Sequence, residues 1–301
     1  MKLPFCTVDV FTAHRFGGNP LAVFVDAPEL PDELMQSIAR EFNLSETVFI
    51  VKPRDPRAKR RLRIFTPARE LPFAGHPTIG AAQVLVEEGL AGVSGDSGSF
   101  LLEAEVGLLP INVKRQDDGA WFVQLTTATL PQEGPAAPSV VELSKLLNVA
   151  ESDILQDGDF AQFYSCGVPF LFVPLRNRSV LGRVSIDHAL SRKLPGSAGA
   201  AQVFAFSYDP ERAGSDIRAR MFAPAFGIAE DPATGSAAAA LAGYLAQRAG
   251  KQDGTLRWTI EQGFEMGRPS IIYLETDVAE GAVTAVRVGG TAVRVSDGVL
   301  R

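Results

Sequence analysis

Apolar and polar positions follow a strand-like pattern along most of the chain. Short segments rich in Val, Ile, Phe and Thr are typical of β-strands. Two amphipathic helices are predicted at 31–42 and 139–147; in the first, Leu34, Ile38 and Phe42 recur on one face. We predict strands at 4–11, 20–25, 46–51, 61–65, 100–106, 121–125, 170–175, 203–208, 217–222, 256–261, 270–274, 283–288 and 291–295.

Two further predicted helices, at 78–88 and 234–248, differ from these because small and apolar residues occupy all of their faces. A helix that is apolar on every face is buried on every face. In a chain dominated by strands, we therefore expect a sheet to surround each of these helices.

The sequence repeats at about half its length. The segment at 63–68 (RIFTPA) matches that at 220–225 (RMFAPA), and the segment at 76–82 (HPTIGAA) matches that at 231–237 (DPATGSA). We predict an α+β fold of two pseudo-symmetric halves, each a curled, barrel-like β-sheet around a central buried helix. The predicted halves are 1–118, completed by the strands at 283–301, and 119–282, with the active-site cleft between them.

Candidate binding groups lie where each half enters its buried helix, in the pattern X-Pro-x-x-Gly. The residue before the proline is His76 in one half and Asp231 in the other. Backbone N–H groups at a helix start, together with the helix dipole, hold a carboxylate or phosphate well. Each residue alone also has an ordinary interpretation, Asp231 as a helix cap and His76 as a local hydrogen-bonding group.

Glu46 is the candidate general acid/base, because it begins an otherwise apolar strand. A carboxylate that enters a buried strand is unfavourable unless it is paired, and burial raises the pKa of such a group toward neutrality, which suits proton transfer. A surface position at a strand edge is the alternative. Asn19 is a candidate for reaching the cleft, with a simple turn role as its alternative.

The segments around these residues resemble the phenazine-biosynthesis isomerase family (PhzF-like), which has the diaminopimelate epimerase-like fold. The resemblance extends from the N-terminus to about residue 275. It is carried by FGGNPLAVF at 16–24, NLSET at 43–47, RIFTP at 63–67, ELPFAGHPT at 70–78, GIAEDPATGSA at 227–237 and EQGFEMGRPS at 261–270.

This resemblance implies an isomerase that uses no cofactor and forms a homodimer. In the family's namesake a glutamate moves a proton within a dihydro-hydroxyanthranilate acid, and that glutamate matches Glu46. The family's histidine and aspartate match His76 and Asp231. Its substrate-binding positions match Gly75, Gly235 and Ser236. We expect a protonated His76 to anchor a carboxylate or to donate to a ring oxygen, and Asp231 to hold an amine or hydroxyl.

Composition and charge narrow the possible partners. The chain has 29 Lys and Arg against 35 Asp and Glu, a net charge of −6 without a basic stripe, which disfavours nucleic-acid binding. No apolar run approaches the ~20 residues that span a bilayer. Two cysteines and three scattered histidines make no disulfide framework or metal cluster. We therefore expect a cytoplasmic, metal-free protein, and the resemblance implies a small carboxylic acid as its substrate.

Two other functions stay open. An amino-acid or hydroxy-acid epimerase or racemase would need a second base; since neither helix-start loop contains a cysteine, Asp231 would have to serve. A non-catalytic protein that binds small acids would keep the cleft without turnover. Exchange of solvent deuterium into the substrate with inversion would favour the epimerase or racemase. The binding protein predicts that Glu46→Gln leaves affinity intact and that there is no turnover to lose.

Overall fold

The computed structural model describes residues 2–28, 30–193 and 202–301. Its six α-helices are α1 (Asp32–Phe42), α2 (Gly75–Glu87), α3 (Val140–Leu147), α4 (Arg178–Arg183), α5 (His188–Ser191) and α6 (Gly235–Ala249). Its strands are β1 (Leu3–Val10), β2 (Asn19–Phe24), β3 (Glu46–Val51), β4 (Arg60–Phe65), β5 (Glu70–Leu71), β6 (Ser97–Ala104), β7 (Gly107–Arg115), β8 (Trp121–Thr126), β9 (Gln132–Glu133), β10 (Gln162–Ser165), β11 (Pro169–Pro174), β12 (Gln202–Ser207), β13 (Ile217–Ala223), β14 (Ile228–Asp231), β15 (Gly254–Gln262), β16 (Ser270–Ala279) and β17 (Ala282–Leu300).

The chain forms two compact units, Met1–Ala128 with Val288–Arg301, and Thr129–Arg287. The first unit thus extends beyond the predicted boundary at residue 118, because β8 pairs antiparallel with β7 and belongs to the same sheet. The C-terminal residues return to the first unit through the antiparallel pairing of β17 with β1.

In the first unit the strands close into a barrel. The pairings run β1–β2, β2–β3, β3–β4, β4–β6, β6–β7 and β7–β8, and β17 joins β8 to β1. Helix α2 contacts β1, β2, β3, β4 and β8, and twelve of its thirteen residues are buried. In a closed sheet every strand has hydrogen-bonded neighbours, and an apolar helix inside it has all of its faces buried.

The second unit repeats the order of these pairings. β10 pairs antiparallel with β11, β11 parallel with β12, β12 antiparallel with β13, and β13 parallel with β15. Helix α6 contacts β9, β10, β11 and β16, and its middle is buried. The internal repeat in the sequence therefore corresponds to a repeated order of strands and buried helix.

A buried ion pair recurs at matching places in the two units. In the first, Arg61 pairs with Glu103, whose carboxylate also accepts the backbone N–H groups of Arg54 and Asp55. In the second, Arg218 and Glu261 are 3.0 Å apart, and the Glu261 carboxylate accepts from two successive backbone N–H groups, those of Glu211 and Arg212. Each pair fixes the loop that precedes its own strand, β4 or β13, because a buried carboxylate requires such partners.

The prediction of two separate C-terminal strands needs correction. The strands expected at 283–288 and 291–295 form one continuous strand, β17, since Gly289 is not a turn but a site of close packing. A Cβ there would lie 2.7 Å from the ring of Phe122. The predicted first residues of α1 and α3 agree with the structure to within one residue. None of the helices in the described ranges is both long and apolar enough to cross a membrane.

Candidate functional site

Three of the predicted site residues meet in the first unit. Asn19 begins β2 and Glu46 begins β3, and these strands are parallel neighbours with Leu21 opposite Glu46. His76 lies in the first turn of α2, inside the same barrel. Parallel pairing brings equivalent ends of two strands to one edge, so all three side chains reach the same buried place.

The distances within this group are short. Asn19 Nδ2 lies 3.3 Å from His76 Nδ1, and His76 Nε2 lies 3.2 Å from Glu46 Oε2, although the second contact is not aligned as an ideal hydrogen bond. Asn19 is fully buried, and His76 and Glu46 are 5% and 9% exposed. The strand-edge alternative for Glu46, with a side chain on the surface, is therefore wrong.

The Asn19 contact determines where the imidazole carries its proton. An amide nitrogen only donates, so Nδ1 of His76 accepts and the ring hydrogen resides on Nε2, which faces Glu46. Burial lowers the pKa of His76 to about 3. The expectation of a protonated His76 is therefore corrected, because the ring is neutral at pH 7 and offers one N–H donor rather than a charge.

Gly75 is the first residue of α2, and the N-cap Ala74 supplies no side-chain cap to the helix start. Thr78 donates its hydroxyl back to the Ala74 carbonyl at 2.7 Å, which fixes this turn. The helix therefore begins earlier than the predicted residue 78, and Gly80 lies inside it. At that position a Cβ would lie 2.6 Å from Leu21, so the glycine permits close packing of helix and sheet.

The other three predicted site residues lie in the second unit. Asp231 ends β14 and is buried, whereas Gly235 and Ser236 open α6. The N-cap of α6 is Thr234, not Asp231, so the interpretation of Asp231 as a helix cap is wrong. The Asp231 carboxylate instead accepts the Thr234 hydroxyl at 2.5 Å.

The turn around Asp231 is held by residues whose role the sequence did not reveal. Gln262, at the end of β15, donates to the Asp231 carbonyl at 2.8 Å and to the Thr234 hydroxyl at 2.9 Å. The Ser270 hydroxyl donates to the Pro232 carbonyl. Gly263 has φ +77°, and a Cβ there would lie 2.5 Å from the Pro232 oxygen. The one available sequence indication was the segment at 261–270, which carried the family resemblance without an assigned role.

Neither cysteine occupies a helix start. Cys6 and Cys166 are both buried and unbridged. Burial raises the pKa of the Cys6 thiol to about 11, and the Cys166 thiol donates to the Thr129 carbonyl at 2.8 Å. The environments of these two thiols are therefore those of structural rather than nucleophilic cysteines. The described residues also include no group of three or more His, Cys, Asp and Glu side chains able to hold a metal ion.

Comparisons with known proteins agree on one family. A family model described as phenazine biosynthesis-like protein matches residues 8–298. The chain is 44% identical over 295 residues to an uncharacterized isomerase of Mesorhizobium japonicum, covering 97% of this chain and 96% of the relative. It is 35% identical over 295 residues to the trans-2,3-dihydro-3-hydroxyanthranilate isomerase of Pseudomonas aeruginosa, covering 98% of both chains.

Solved structures show the same relationship. A Bacillus anthracis phenazine biosynthesis protein of the PhzF family superimposes with a TM-score of 0.88 at 25% identity, over 100% of this chain and 99% of the other. A probable proline racemase from Agrobacterium radiobacter superimposes with a TM-score of 0.64 at 15% identity, over 99% of this chain and 93% of the other. The second similarity shows a shared fold alone.

Proposed function

Because the chain belongs to the PhzC-PhzF family of phenazine biosynthesis-like proteins and is an isomerase of that family, we propose that it moves a proton within a small cyclic or unsaturated carboxylic acid. Glu46 is the general acid/base of this proposal. The observation that carries it is the buried contact between Glu46 Oε2 and His76 Nε2, 3.2 Å apart.

The proposed reaction conserves all atoms of the substrate. The Glu46 carboxylate takes a proton from a C–H bond that adjoins an unsaturated system, and the electron pair of that bond spreads over the unsaturated system. Hydrogen-bond donors stabilise the resulting anion where its charge develops. The protonated Glu46 then returns the proton to another carbon of the same anion. A side-chain carboxylate is sufficient for both steps, so the proposal requires no cofactor.

His76 and Asn19 prepare Glu46 for the first step. Asn19 holds the tautomer that places the His76 hydrogen on Nε2, and this N–H faces Glu46 Oε2. A neutral donor beside the carboxylate favours its ionised, proton-accepting form. We assign the remaining groups to substrate, as the family resemblance implies: Asp231 to an amine or hydroxyl, Ser236 and the Gly235 amide to an acid group, and the Gly75 amide to substrate binding.

The test uses defined acids with the purified chain. The first substrate to offer is trans-2,3-dihydro-3-hydroxyanthranilate, on which the named Pseudomonas relative acts, followed by other dihydro-hydroxy acids and by amino acids. We expect NMR to show an isomerised ring acid as product. Inverted amino acid would instead indicate an epimerase. Ligands that bind without any product would indicate a binding protein and would contradict the proposal.

The proposal includes a homodimer, as the family resemblance implies. Light scattering during size-exclusion chromatography would then give twice the 32.2 kDa of the chain. A mass equal to that of one chain across the working concentration range would contradict this part of the proposal and leave the proton-transfer chemistry unaffected.

A further inference from the structure

We propose that Thr234 and Gln262 are positioning residues for Asp231, which they orient toward substrate through a directed relay of hydrogen bonds. The inference rests on the proposed function, since it gives Asp231 the role of holding a polar group of the substrate. It also makes a separate statement about the side-chain geometry of the second unit.

The direction of each hydrogen bond follows from the chemistry of the groups. Gln262 Nε2 only donates, so the Thr234 hydroxyl oxygen accepts from it at 2.9 Å. The hydroxyl has one hydrogen, which is donated to Asp231 Oδ2 at 2.5 Å. The relay therefore runs from the Gln262 amide through the Thr234 hydroxyl to the Asp231 carboxylate. It gives the hydroxyl and the carboxylate each a defined orientation.

Gln262 directs every hydrogen bond described for its side chain to this one turn. Its Nε2 also donates to the Asp231 carbonyl at 2.8 Å, and its Oε1 accepts the Thr234 backbone N–H at 3.1 Å. Gln262 is 0% exposed. A buried amide that is satisfied by two residues of one turn fixes the conformation of that turn, because leaving any of these groups without a partner is unfavourable.

Two neighbouring carboxylates are held by their own arginines. Glu230, the neighbour of Asp231 on β14, is held by Arg220 at 2.8 Å. Glu261, the neighbour of Gln262 on β15, is held by Arg218. Removal of the Thr234 hydroxyl therefore leaves these two ion pairs in place.

The test compares two substitutions of Thr234 that differ in whether they keep its hydroxyl. Thr234→Val removes the hydroxyl and keeps the volume, whereas Thr234→Ser keeps the hydroxyl. We expect KM to rise about tenfold in the Val variant with kcat within twofold. The reason is that the reoriented Asp231 no longer binds the polar group of the substrate that it contacts in both the ground state and the transition state. The Ser variant should stay within about threefold of the parent. A merely structural role would lower the active fraction, and thus kcat, without changing KM.

A control and a second readout complete the design. Thr276→Val removes another buried hydroxyl of the second unit, one without a hydrogen-bond partner among the described residues, and should leave KM unchanged. Crystal structures of the Thr234 variants should show the Asp231 carboxylate turned in Val and unmoved in Ser. If the Val variant does not fold, Thr234→Ala takes its place.

The two proposals fail in different ways. If no acid is turned over by the parent protein, the proposed function fails, and the crystal structures still decide the relay. An Asp231 carboxylate that keeps its orientation in Thr234→Val overturns the relay. So does an unchanged KM in a Val variant of an active enzyme.

Discussion

His76 Nε2 and Glu46 Oε2 lie 3.2 Å apart inside the first unit, with the imidazole on α2 and the carboxylate on β3. The helix crosses the barrel interior, so this contact joins the central helix to the wall that surrounds it. Pairs of buried titratable groups, such as this carboxylate and neutral imidazole, are typical of functional sites, where burial and neighbouring groups shift the pKa values.

The neutral state of His76 predicts a pH dependence of folding. Its pKa in the folded protein is about 3, whereas a histidine in an unfolded chain has a pKa of about 6.5. Between these values the unfolded chain binds a proton that the folded protein does not. As the pH falls from ~6.5 toward ~3, stability should therefore fall by up to ~1.4 kcal/mol per pH unit; above ~6.5 the contribution is fully retained.

The measurement is urea unfolding of the parent and of His76→Gln at several values between pH 4 and 8, which cover the upper part of that window and the plateau above it. The difference between the two unfolding free energies isolates this residue from the other titrating groups. We expect the parent to lose stability relative to the variant as the pH falls. Parallel curves would show that His76 titrates normally.

The Asn19 contact predicts a single imidazole tautomer. Asn19 Nδ2 donates to His76 Nδ1 at 3.3 Å, so nitrogen-15 NMR should report the hydrogen on Nε2 in the parent. In Asn19→Ala this preference should be lost, and kcat should fall about tenfold. This is less than the ~10²–10⁴-fold that a positioned acid–base group contributes, because Asn19 acts only through His76. Hydrogen on Nδ1 in the parent would contradict this arrangement of the site.

Two helix glycines predict opposite effects of the same substitution. Gly80 lies in α2, where a Cβ would be 2.6 Å from Leu21 and 2.8 Å from Val10, both fully buried. Gly182 lies in α4 with no neighbouring atom within 4 Å of a Cβ. Alanine is the better helix former by about 1 kcal/mol, but overpacking costs about 1–3 kcal/mol.

We therefore expect Gly80→Ala to lower the melting temperature and Gly182→Ala to leave it unchanged or raise it. Thermal unfolding of the two variants beside the parent measures both effects. A stabilised Gly80→Ala protein would mean that helix and barrel wall are packed less closely than the structure shows.

The local pattern of apolar and polar positions predicted those helices and strands that this pattern itself determines. The repeat of Leu34, Ile38 and Phe42 gave α1, because one face of that helix is buried and the other is exposed. The start of α2 and the continuity of β17 were not predictable in this way. The first turn of α2 is held by the hydrogen bond from Thr78 to the Ala74 carbonyl, and β17 continues because Gly289 admits the distant ring of Phe122.

The site was predictable as a set of residue types but not as an arrangement. The cost of burying a charge in an apolar strand identified Glu46, yet the neutrality of His76 follows from burial that no local pattern reports. Gln262 was not identified, since it lies 28 residues beyond Thr234 and contacts the Asp231 turn only after folding. A contact of this kind arises only when folding brings distant parts of the chain together, so the local sequence pattern does not indicate it.

Deuterium transfer is the most direct test of the role of Glu46. The parent and Glu46→Gln are incubated with the acid substrate in deuterated water, and NMR locates the label. The account predicts isomerised acid with the parent, labelled at the receiving carbon to the extent that the Glu46 proton exchanges with deuterated water before its return. It predicts a loss of at least ~10²-fold in the rate of isomerisation and labelling with the variant, the lower limit expected for an acid–base group. Equal rates of labelling by the two proteins would contradict the assignment of Glu46 as the proton-transferring residue.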